Sequence, residues 1–182
     1  MCIRDRRQPN LADWTPPPLN IDGIDVDVTV EEIKTFETTI KNDEVAAVNL
    51  EDYEGKIKVI WQGEGLELIL IYPEGSDYKI KRWALKPLGS SCGENFEELS
   101  SLEKEIIVPS GTGKKILRIR PLCNQATVKI SSDSPLPPQF YKIRAEAAGP
   151  GGETRAVEVT RSLPILPPIF DYVLFSGGGL VK

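Results

Sequence analysis

The feature that most limits the fold is punctuation: apolar and polar residues alternate in short runs, and each run stops at glycine or proline. Ile57-Lys58-Val59-Ile60-Trp61 halts at Gly63-Glu64-Gly65, and Leu66 to Tyr72 halts at Pro73-Glu74-Gly75. Tyr78 to Leu85 ends at Pro87. Alternation with a period of two places one set of side chains on each face of a strand, and Gly and Pro supply the backbone geometry that reverses the chain. The three consecutive runs predict a meander of neighbouring strands.

The second half keeps the same habit. Glu105–Val108 precedes Pro109-Ser110-Gly111-Thr112-Gly113; Lys115 to Arg120 alternates until Pro121 interrupts; Ala126 to Ile130 alternates again. Gln139–Ala147 and Thr154–Thr160 flank Gly149-Pro150-Gly151-Gly152, which predicts a hairpin because glycine tolerates the positive φ of a tight reversal. Two segments, Val30–Lys41 and Phe96–Lys104, are open to a helical reading. In the first, Ile33, Phe36 and Ile40 are spaced as on a helix, but Val28, Val30, Thr35, Thr38 and Thr39 are β-branched, and a strand is expected. Val45–Leu50 reads as a strand. With 15 prolines and 15 glycines separating many short strands, the expected fold is all-β: an antiparallel β-sandwich, immunoglobulin-like or similar, in which two sheets bury each other's apolar faces. Trp61 and Trp83 are expected in or near its core.

Residues 1–20 read as an unstructured or non-native leader, 21–163 as the sandwich domain, and 164–182 as a proline-rich linker. Pro164, Pro167 and Pro168 bracket Ile165 and Leu166, and Leu180-Val181-Lys182 reads as the beginning of a following module.

The absence of histidine from all 182 residues removes the commonest general base and metal ligand, so the usual Ser-His-Asp and Cys-His arrangements cannot be assembled. Acidic residues occur as scattered singles, expected on solvated strand faces, and no catalytic, cofactor-binding or metal-binding residue is assigned. Asp22, Asp25 and Asp27 have strand spacing and lack the glycine and closing glutamate of a calcium loop. Ser110 to Lys115 has the flavour of a phosphate loop but the wrong spacing: Val108 occupies the first glycine position and Lys115 the Ser/Thr position. A net charge of -5, with Lys79, Lys81, Arg82, Arg118 and Arg120 interleaved with apolar neighbours, predicts solvated strand faces and no nucleic-acid partner.

Of the three cysteines, Cys2 lies in the leader, whereas Cys92 and Cys123 sit in or beside turns. Either they pair, which would place the domain outside the reducing cytosol, or they are two buried free thiols; pairing is the expectation.

The runs Tyr141-Lys142-Ile143-Arg144-Ala145 and Arg155-Ala156-Val157-Glu158-Val159, the Gly149–Gly152 turn, and above all Leu166-Pro167-Pro168-Ile169-Phe170-Asp171-Tyr172-Val173-Leu174-Phe175-Ser176-Gly177-Gly178 carry a resemblance. Together with Leu117 to Leu122, Leu136 to Gln139 and Val59-Ile60-Trp61, this stretch resembles the soluble part of pilus-assembly proteins of the PilX or minor-pilin kind, over roughly Val26 to Gly178. The resemblance implies a passive structural domain of a type IV pilus or pseudopilus, at the cell surface, whose partners are other pilin or envelope proteins. In that family a prepilin peptide and a long membrane helix come first; residues 1–20 contain neither, so membrane anchoring is implied only through a preceding helix. Phe170, Tyr172 and Phe175 are expected to seal this domain against a next module. The alternative reading is a secreted adhesion or carbohydrate-binding sandwich, which would carry a groove lined with exposed aromatics.

Overall fold

A computed structural model describes residues 19–21, 23–149 and 151–162. Most of the leader and all of the C-terminal linker, with Phe170, Tyr172 and Phe175, lie outside the described residues, as do Asp22 and Pro150. The described residues hold thirteen strands and no α-helix. They fall into two compact units, one built from residues up to 33 together with 140–162, the other from 34–139.

The first unit is a four-stranded antiparallel sheet ordered β1 (Leu19–Ile21), β2 (Ile24–Ile33), β12 (Phe140–Ala148), β13 (Thr154–Ser162). Strict alternation in β2 makes it a strand: Asp25, Asp27, Thr29 and Glu31 are exposed, whereas Ile24, Val26, Val28 and Val30 are half-buried. The register sets Val28 against Ala145 and Ala145 against Val157, then Val30 against Ile143 and Ile143 against Val159, so the apolar residues form rows across one face. The Gly149–Gly152 reversal is the expected hairpin: the Gly149 amide donates to the Glu153 carbonyl at 2.8 Å, and Gly152 takes a φ of 79°.

The second unit holds two sheets. One is ordered β4 (Ala46–Asn49), β10 (Ile116–Leu122), β6 (Gly65–Glu74), β7 (Asp77–Pro87), β8 (Glu97–Leu99), and the other β3 (Phe36–Ile40), β11 (Ala126–Ser132), β5 (Gly55–Gln62), β9 (Glu103–Val108). Every pairing is antiparallel except the short β7–β8 contact. Val48, Leu66, Leu68, Leu70, Leu117 and Ile119 in the first sheet are buried, as are Phe36, Ile57, Val59, Trp61, Val128 and Ile130 in the second. Burial of alternate positions in both sheets is the signature of sandwich-like packing, and fully burying each such side chain contributes about 1.5–3 kcal/mol. Trp61 belongs to this core and Trp83 is half-buried.

Val30–Lys41 is extended, broken at Lys34-Thr35 between β2 and β3. Phe36 and Ile40 are buried together because a separation of four fits one face of a strand as well as one face of a helix. Phe96–Lys104 likewise contributes β8 and the start of β9.

Two expectations are corrected. The three runs from Ile57 to Leu85 do not form a meander: β6 and β7 pair, but β5 pairs with β11 and β9 in the other sheet. The chain changes sheets between Gln62 and Gly65, a move that alternation within each strand cannot signal. Prolines also fail to end two strands, although β7 does end at Pro87 as expected. Pro73 and Pro121 lie inside β6 and β10, and both sit where one neighbouring strand has already stopped: β10 pairs with β6 only up to Ile71, and β4 with β10 only up to Ile119. A missing N–H is tolerated where no ladder bond is required of it.

Candidate functional site

Cys92 and Cys123 are bonded, with S–S 2.06 Å and Cα–Cα 6.0 Å, so the free-thiol alternative does not hold. The bond ties the β7–β8 connection to the turn after β10. Cys92 is buried and Cys123 is exposed, with a φ of 74°. Room for the sulfur comes from Gly65 in β6, opposite Leu122: a Cβ there would lie 2.6 Å from Cys92 Sγ and 3.3 Å from Leu122 Cβ. Gly65→Ala is therefore expected to lower stability by about 1–3 kcal/mol through overpacking. The change should appear as a lower urea midpoint with an unaltered slope; an unchanged midpoint would show that the disulfide yields freely.

A second cluster is electrostatic. Glu67 stands within the apolar run of β6 and is 2% exposed, contrary to the expected solvated acid. Its carboxylate accepts from Arg82 Nε on β7 and meets Arg120 on β10 at 2.8 Å. The register explains the meeting, because Glu67 lies directly opposite both Arg120 and Ala84. Arg118, two residues before Arg120, is only 3% exposed. Arg118 and Arg120 thus depart from the expected solvated face, whereas Lys79, Lys81 and Arg82 are exposed as anticipated. The reason is that β6 is central in its sheet and buried on both faces from Gly65 to Leu70, so charges reaching that outer face must pair. One glutamate within an apolar run has the same pattern on a wet face as on a covered one, so no local signal marks it. With guanidinium donors on both oxygens, the carboxylate serves as an internal counter-charge and is poorly placed to take a proton from a substrate.

The Ser110–Lys115 segment is a turn between β9 and β10 and is not a phosphate cradle. The Gly113 amide donates to Asp52 Oδ1 at 2.6 Å, an acceptor carboxylate where a phosphate oxygen would have to lie, and a strand follows. Lys115 is fully buried, its Nζ donating to the Tyr53 carbonyl at 2.7 Å. These bonds fix one wall of an open cleft of about 420 Å³, walled by residues 51–54 and 134–138 with Lys34 at its side. Two of its polar side chains serve the fold: Tyr53 Oη donates to the Lys56 carbonyl at 2.9 Å, and Asp52 holds the Gly113 turn.

Beside the cleft, Gln139 acts as a substitute strand. Its Oε1 accepts from the Asn49 amide at 2.8 Å and its Nε2 donates to the Asn49 carbonyl at 2.8 Å, closing the outer edge of β4 at its last residue.

On the wet face of the other sheet, Lys56 sits 3.0 Å from Glu105, and that hydrogen-bonded carboxylate raises its pKa above the ordinary 10.5. Its ammonium, on a side chain open to solvent, therefore keeps its charge to a higher pH than an isolated lysine would.

Among the described residues no group of three or more His, Cys, Asp or Glu is placed to hold a metal ion. Asp25 accepts from Asn20 Nδ2 at 2.8 Å. No helix among the described residues is long and apolar enough to cross a membrane. No protein-family model matches the chain, and no curated protein matches it.

Proposed function

We propose that this chain is a structural, non-catalytic, extracytoplasmic domain of a type IV pilus or pseudopilus assembly protein, which makes subunit or surface contacts through its sheets. On this reading its second unit is a sandwich of the immunoglobulin-like or a similar type. The observation that carries the proposal is the Cys92–Cys123 bond, because bonds of this kind persist in oxidising compartments outside the cytosol. The resemblance of the Leu166–Gly178 stretch and the hairpin runs to minor pilins supplies the pilus setting. The buried Glu67 with its two arginines, and the Asp52 and Gln139 side chains that bond to backbone, favour a framework role, since the polar groups most enclosed by the fold are turned toward the fold itself.

The second reading, a carbohydrate-binding module, finds less support. Trp61 is buried, and Tyr78 is the one exposed aromatic among the described residues, so no paired aromatic platform is formed there.

The test is fractionation of the cells that make the protein, with free thiols alkylated at lysis. The proposal expects it in the envelope or sheared surface-filament fraction with Cys92 and Cys123 in one disulfide-linked peptide pair. Recovery in the soluble cytosol with both thiols alkylated overturns it; specific retention on immobilised glycan would favour the second reading.

A further inference from the structure

Among the described residues most sheet edges are closed or short. Gln139 caps β4, as described; β1 and β8 have three residues each; β9 carries Glu103, Lys104 and Glu105 and runs into Pro109. β13 is different. Among the described residues it is an outer strand of nine residues without proline, paired on one side by β12, and every one of its residues is exposed, Val157 at 64% and Val159 at 53%. A long, regular edge of this kind is a template for another strand.

Which backbone groups it offers follows from one hydrogen bond. Gly149 N–H donates to the Glu153 carbonyl, which makes 149 and 153 a hydrogen-bonded pair. Such pairs alternate along an antiparallel ladder, so Arg155, Val157, Val159 and Arg161 direct their N–H and C=O toward β12, while Thr154, Ala156, Glu158 and Thr160 direct theirs outward.

We propose that this edge pairs antiparallel with β13 of a second copy of the chain, about a two-fold axis at Val157, joining two four-stranded sheets into one. This inference is independent of the pilus reading. In that register the outward groups of Ala156 meet those of Glu158 and the outward groups of Thr154 meet those of Thr160. Val157 faces Val157, Arg155 faces Val159, and Glu153 faces Arg161 at both ends. The apolar row of Val157, Ala145 and Val28 then continues unbroken across the junction. Charge selects the register: centring the pair on Glu158 would set Glu158 against itself and Arg155 against Arg161, and like charges directly opposite are destabilising. Glu153 lies 3.7 Å from Arg155 within one chain, and both side chains are highly exposed, so it remains accessible to Arg161 of the other copy.

Sedimentation of the full chain over a concentration series reaching the millimolar range should show a reversible monomer–dimer equilibrium. Arg161→Glu should shift its midpoint to about tenfold higher concentration, and adding Glu153→Arg should restore it. Ala156→Pro removes an outward amide without breaking a ladder bond or an ion pair to β12, so it should abolish the dimer while circular dichroism stays that of the parent. In a Cys2→Ser background, oxidation should link Val157→Cys into a covalent dimer, since opposed residues of a non-hydrogen-bonded pair have Cα atoms about 4.5 Å apart, within disulfide reach. Val159→Cys, displaced from the axis, should not link. A chain that sediments as a monomer throughout, or Val159→Cys linking as well as Val157→Cys, overturns the proposal.

Discussion

Replacing Glu67 by alanine should cost the fold about 3–5 kcal/mol, measured by urea denaturation followed through tryptophan fluorescence. The carboxylate is 2% exposed and is shared by Arg82 and Arg120, with Arg118 buried beside them. Removing it deletes the counter-charge from a face where the remaining guanidinium groups repel each other in a medium less polar than water. Arg120 is the partner that matters more, because its side chain is 17% exposed against 49% for Arg82, and solvent screens the latter. Glu67→Leu combined with Arg120→Leu should therefore lose less than the sum of the single changes, the mark of coupled neighbours. A loss below about 1 kcal/mol for Glu67→Ala would mean that the cluster behaves as a solvated surface pair.

Reducing the Cys92–Cys123 bond should have an effect of similar size. The bond joins residues 31 apart in sequence, and the loop entropy it removes from the unfolded chain corresponds to about 3.5 kcal/mol. For a chain of this length that is a fall in melting temperature of about 10 °C. Since whole domains are stable by about 5–15 kcal/mol, reduction removes a large share of the margin. The measurement is a pair of thermal melts with and without reductant, checked by Cys92→Ala with Cys123→Ala. Coincident melts would show that the bond does not constrain the unfolded ensemble, and a loss larger in the double variant than in the reduced parent would report the void left at buried Cys92.

The two effects differ in how far they could be read in advance. The disulfide was legible because Cys92 and Cys123 lie in turns, outside any strand, with a chain length between them suited to a closed loop. The glutamate was not, since a single acid between Leu66 and Leu68 looks the same whether its side of the sheet is wet or covered. The Ser110–Lys115 segment was correctly read as a turn from its spacing, yet nothing local announced that Lys115 would be fully enclosed with its amine on the Tyr53 carbonyl. That bond spans residues 62 apart in sequence.

Strand identity was a local matter. Period-two alternation in Ile24–Ile33, Ile57–Trp61 and Ala126–Ile130, and the glycines between β12 and β13, act over a few residues, so each strand is specified by its own segment. Partner choice and second-face burial arise only when distant segments come together. Whether β5 lies beside β6 or beside β11, and whether Glu67 and Arg120 meet water or each other, depends on which distant segments stack on a sheet. A strand's own alternation describes two faces but does not specify what will cover them.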